Sequence, residues 1–169
     1  MNDVQQRLAT KLNESKAFTL MHDFQEEVAK YPAAHISCNN PKREAAVLKA
    51  SEPLYKFHTV FSTPKNEYGN SVILVSNDMV IPYMAKEVAA FVYHLEVFYQ
   101  EIKKANNVQE LQQYYKQFTL KPKQLSDALV EDAKLYAERY GFELDIRSMM
   151  DTFKAHKELL ASQEAIKLN

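Results

Sequence analysis

The sequence predicts an α+β fold that is predominantly α, a helical bundle of about five to six helices carrying one β-hairpin. Three observations predict it. Glycine, which supplies positive φ in tight turns, occurs only at positions 69 and 141 of the 169 residues, so a protein of many hairpins is disfavoured. Apolar residues recur three and four apart along most of the chain, the rhythm of a helix with one buried face. Two short runs, 55–61 and 71–76, replace that rhythm with alternation and β-branched residues.

Residues 2–30 carry Val4, Leu8 and Leu12, then Met21, Phe24 and Val28, with a stutter around Asn13 to Lys16. One interrupted helix or two is expected, stopped at Tyr31-Pro32 because proline pushes the preceding residue out of the α region. His35 to Asn40 is a loop. Asn40-Pro41 opens a short helix to about Ala50, with Asn as cap and Pro at the first helical position, and Glu52-Pro53 is expected to end it. Tyr55, Phe57, Thr59 and Phe61 then alternate with more polar neighbours as a first strand. SVILVS, residues 71–76, is the second, and a turn-rich connector holding Gly69 joins them. A hairpin alone is marginal in water, so it must lean on helices.

From about Pro82 to Lys104, the residues Met84, Val88, Phe91, Leu95, Phe98 and Ile102 form one apolar stripe, which makes this the central helix. Asn107 to Glu110 has the form of a capping box opening a helix to Phe118. Pro122 starts the next helix, whose face is Leu125, Leu129, Asp132 or Ala133, Tyr136 and Tyr140. Gly141 follows where a left-handed C-terminal residue belongs, and Asp145 caps a last helix bearing Ile146, Met149, Met150, Phe153 and Leu160. With no linker, repeat or low-complexity segment, the expectation is a single domain over 1–169. It comprises an N-terminal helical segment 2–30, the hairpin 55–76 and a C-terminal four-helix part 82–165.

Composition narrows the function. Net charge is −1 and the sequence pI about 6.5, so the whole-molecule basic field of a dedicated nucleic-acid binder is absent. The single cysteine, Cys38, cannot form an intramolecular disulfide, and the N-terminus lacks a secretory pattern, which gives a cytoplasmic expectation. The longest uncharged stretches are about half a membrane span or less, so no membrane partner is expected. Two glycines leave no phosphate-cradling loop of the P-loop or dinucleotide type.

Three functions remain. The first is a small non-enzymatic interaction or regulatory module, binding a protein partner or its own copy; ten tyrosines, several at stripe margins, favour it because a rigid ring is buried in an interface at low entropic cost. The second is nucleic-acid binding. Residues 103–123 hold five lysines against one acid, so Lys103, Lys104, Lys116, Lys121 and Lys123 with Tyr114 would neutralise phosphates and stack a base. Tyr115 and Phe118 of the same segment fall on an apolar face and read as core, and the following helix is acidic at Asp127, Glu131, Asp132 and Glu138.

The third is a phosphoesterase-like hydrolase using His35 or His58. His35-Ile36-Ser37 resembles one His-x-Ser/Thr unit of the two-histidine phosphoesterases, whereas His58-Thr59-Val60 lacks the second. No other spacing supplies a nucleophile, base or metal. His35 and Cys38 share a loop without defined geometry, and a lone cysteine is more often a small buried residue. His94 stands one heptad from Glu87 and from Glu101, about 10 Å along the axis by the helical rise, too far to share one ion. His22 and His156 start no ligand spacing either, so no catalytic residue, metal or cofactor is expected.

Overall fold

In the computed structural model, the described residues are 15–29, 41–55, 80–104, 120–141 and 143–168. They form five helices: α1 Lys16–Ala29, α2 Pro41–Tyr55, α3 Val80–Lys104, α4 Pro122–Tyr140 and α5 Ile146–Leu168. No helix among them is long and apolar enough to cross a membrane.

Among the described residues the fold is therefore α rather than α+β. All regular structure among the described residues is helical, and the expected hairpin of residues 55–61 and 71–76 is not seen. Tyr55, expected to open the first strand, is instead the last residue of α2, and 56–79 lie outside the described residues. Burial at Leu54 accounts for Tyr55 being helical. Pro53 does not end the helix: it lies in the last turn, and full burial of Leu54 beside it, worth about 2 kcal/mol, offsets much of the cost of about 3 kcal/mol that a proline imposes on a helix. Ser51 Oγ also donates to the Leu48 carbonyl at 2.7 Å, satisfying one acceptor of that turn. Tertiary burial thus accompanies the helix past the expected proline stop.

α3 is the central helix, as its stripe predicts. It packs most extensively against α5, then α2, then α4, and more lightly against α1. Its fully enclosed Phe91, Leu95 and Phe98 meet Leu125 and Leu129 of α4, Met21 of α1 and Leu54 of α2 in one contiguous core. Phe24 of α1 sets its ring edge-on to both Phe91 and Tyr99, at centroid distances of 6.2 and 6.4 Å. Tyr99 hydroxyl donates to the Leu120 carbonyl at 2.6 Å, while Met84 faces Tyr136 at the other end, so α3 and α4 run antiparallel.

The helix ends follow local chemistry. Pro122 occupies the first position of α4, and Gln124 Oε1 accepts from Lys121 N–H at 2.6 Å. Gly141 adopts φ 68° and its N–H closes on the Ala137 carbonyl, the left-handed stop that its position predicts. Asp145 Oδ1 accepts from Ser148 N–H at 3.0 Å and caps α5. α1 begins at the stutter, with Ser15 as its cap.

Candidate functional site

The junction of α1 with α4 explains how the larger concave surface is built. Ser15 Oγ accepts from Phe18 N–H at 3.2 Å, a standard first-turn cap. The next donors are taken by Asp132 from the middle of α4: Lys16 N–H gives to Oδ1 at 2.8 Å, Ala17 N–H to Oδ2 at 2.9 Å, and Ser15 Oγ–H to Oδ2 at 2.6 Å. A carboxylate at a helix N-terminus meets unpaired N–H groups and the positive end of the dipole, so this buried acid is held by charge-assisted bonds. Lys16 Nζ reaches Glu131 at 3.2 Å on the exposed side of the same junction.

Beside that clasp lies a groove of about 640 Å³, lined by Ser15, Asp132, Met84 and the last two turns of α4. Met84 is buried on its floor, whereas Leu135 is 59% exposed on its wall. Tyr136 and Tyr140 stack one turn apart with ring centroids 4.5 Å from each other, Tyr136 inward and Tyr140 outward. Burial first, and the neighbouring Tyr140 second, push the Tyr136 phenol up to about 12, so it remains a hydrogen-bond donor at physiological pH. Glu138 and Arg139, both exposed, complete the groove's lining.

A second concavity of about 280 Å³ opens on the other side of α3. It is lined by Ala46, Lys49, Ala50 and Pro53 of α2, Tyr93, His94, Val97 and Glu101 of α3, and Glu164 of α5. His94 is half-buried, with its ring 5.2 Å from that of Tyr93. Burial lowers the His94 pKa below the usual histidine value, against the opposing pull of Glu164, and burial followed by Glu164 raises that of Tyr93. Glu87, a heptad before His94 on the same stripe, is pushed up to about 7 by burial, with a hydrogen bond from Tyr83 opposing the shift.

Of the sequence-predicted nucleic-acid residues, Lys103 and Lys104 are exposed in the last turn of α3, and Lys121 and Lys123 are exposed at the start of α4. The Tyr99–Leu120 hydrogen bond brings these two ends together. Tyr114 and Lys116 lie outside the described residues, as do His35, Cys38 and His58. Asp132, read in sequence both as a face position and as a repelling surface acid, is the first and not the second. The signal was present, for it falls on the Leu125, Leu129 and Tyr136 stripe, and a carboxylate there demands partners. Tyr99, off the main stripe by spacing, is nevertheless buried and bonded.

Among the described residues, the side chains that converge tightly enough for a metal ion are His22, Asp23 and Glu26, all exposed on α1 and holding no more than the contacts of a solvated helix face. His156 is half-buried on α5, and its pKa is lowered by burial and by Lys86. The chain matches no protein-family model, no curated protein and no solved structure.

Proposed function

We propose that the protein is a helical interaction module that docks another protein, in the first instance a second copy of itself, through the groove on α4. The observation that carries this is Leu135, 59% exposed on a concave surface that Met84 and Tyr136 also line, with Tyr140 packed against Tyr136 at 4.5 Å between ring centroids. A leucine so placed stabilises the monomer little, while covering it in a complex would contribute about 1–2 kcal/mol. Tyrosine, arginine and methionine are the residue types that interfaces concentrate. Adjacent Glu138 and Arg139 favour self-docking, because a two-fold rotation sets each arginine opposite the other copy's glutamate.

The test is mass-resolved size measurement over a concentration series. A dimer that forms with concentration and is lost in Leu135→Lys supports the proposal; a chain that stays monomeric throughout overturns self-docking. A second reading, polyanion binding, is favoured by the shared location of Lys103, Lys104, Lys121 and Lys123 at one end of the α3–α4 pair. It predicts an oligonucleotide complex in the same measurement that weakens steeply as salt rises and disappears in Lys121→Glu/Lys123→Glu.

A further inference from the structure

The groove on α4 lies where the chain leading into α1 arrives. Ser15 and Lys16 are fastened at Asp132, while Phe24 packs against Tyr99, whose hydroxyl bonds the Leu120 carbonyl just ahead of α4. α1 therefore runs antiparallel to α4, from Asp132 back toward Lys121. The remaining turns of α4, Asp132 to Tyr140, extend past the start of α1, and the groove occupies that stretch with Ser15 as part of its lining.

Residues 1–14 lie outside the described residues, and their chain joins the fold at Ser15, within the groove's own lining. Val4, Leu8 and Leu12 recur four apart, the spacing of one apolar helix face, and Arg7 and Lys11 recur four apart beside it. Val4 to Leu12 and Asp132 to Tyr140 contain the same number of residues, about 12 Å of helix each. A helix continuing the line of α1 would bring Leu12 level with Leu135, and Arg7 and Lys11 to either side of Glu138.

We propose that residues 4–12 cover the α4 groove of their own chain, with Leu8 and Leu12 against Leu135 and with Arg7 and Lys11 beside Glu138, and that a second copy docks only when this segment leaves. This regulation rests on the self-docking reading of the same groove. Only Asn13 and Glu14 separate Leu12 from Ser15, so the segment acts at an effective concentration on the order of millimolar. A second copy at micromolar concentration competes at a disadvantage. Leucine laid on leucine removes from water the apolar surface that Leu135 exposes, and the cations beside exposed Glu138 set register more than affinity.

The experiment is limited trypsin digestion of the full chain at a concentration where it is monomeric, with cleavage after Arg7 and Lys11 followed by mass spectrometry. Both bonds should be protected in the parent and cut about tenfold faster in Leu135→Gln, the change expected for loss of one covered leucine contact. Leu135 is exposed, so that substitution leaves the core among the described residues intact. A second variant, Leu8→Gln/Leu12→Gln, should free the same bonds and dimerise about tenfold more tightly in the concentration series. Equal cleavage of the parent and Leu135→Gln overturns the proposal, whatever the dimer does. So does a Leu8→Gln/Leu12→Gln dimer no tighter than the parent's, which leaves the groove to a second copy alone. Protection that is lost in Leu135→Gln, with no dimer at any concentration, supports the covering segment and overturns self-docking instead.

Discussion

Asp132, buried on α4, and Glu87, half-buried on α3, are carboxylates treated in opposite ways. At the α1–α4 junction, Asp132 collects two backbone N–H groups and a serine hydroxyl, all within 2.9 Å. On the stripe that leads to His94 and Glu101, Glu87 has the Tyr83 hydroxyl, and burial drives its pKa up to about 7. The contrast teaches that donors, not burial alone, decide what an enclosed acid does. With a helix N-terminus in front of it, an acid becomes a structural fastening; with one neutral donor, it remains half-titrated near neutrality.

The largest effect should come from breaking the fastening. Asp132→Ala strands the Lys16 and Ala17 N–H groups and the Ser15 hydroxyl, and chemical denaturation should show a loss of about 2–4 kcal/mol. A loss no greater than the half kcal/mol or so of an ordinary surface substitution would erase the contrast.

The other side is sharpened by pH. Glu87 has a raised folded-state pKa, so its contribution is full below about 4.5 and is lost as pH rises through about 7. Glu87→Gln should therefore be more stable than the parent at pH 8, by a difference on the order of 1–3 kcal/mol that fades toward pH 4.5. His94 and His156, with pKa values lowered by burial, act in the other direction. Their neutral forms are favoured in the fold, and stability falls as pH drops below about 6.5. Denaturation midpoints of parent and variant across pH 4.5–8 separate the terms, since the histidines are common to both; a gap that does not change with pH would count against the Glu87 assignment.

The smallest effect returns to the satisfied side. Tyr99→Phe removes one buried hydrogen bond to the Leu120 carbonyl, and should cost about 1 kcal/mol in the same denaturation measurement.

Much of the helical frame was legible because it rests on local chemistry. The α3 stripe, proline at the start of α2 and α4, Gly141 at the end of α4 and Asp145 before α5 each act within one or two turns. What escaped depends on contacts made across the chain. Burial of Leu54 carries α2 through Pro53 into what reads as a strand, and Tyr99 is buried because Leu120 returns to meet it. The α4 groove was legible only as a count of tyrosines, since spacing does not say which apolar residue of α4 is left without a neighbour. The cleft between α2, α3 and α5 was less visible still, because the residues that line it come from three helices far apart in sequence.

The fastening at Asp132 also carries a consequence for the order of assembly. Ser15 and Asp132 stand 117 positions apart, so a chain emerging residue by residue cannot close this clasp until the middle of α4 has been made. The entropic cost of closing a loop of that length rises only with the logarithm of its span, about 0.6 kcal/mol per doubling. Delay rather than energy is the toll: α1 is set late, and it is set by a residue that the ribosome delivers long after the helix it secures.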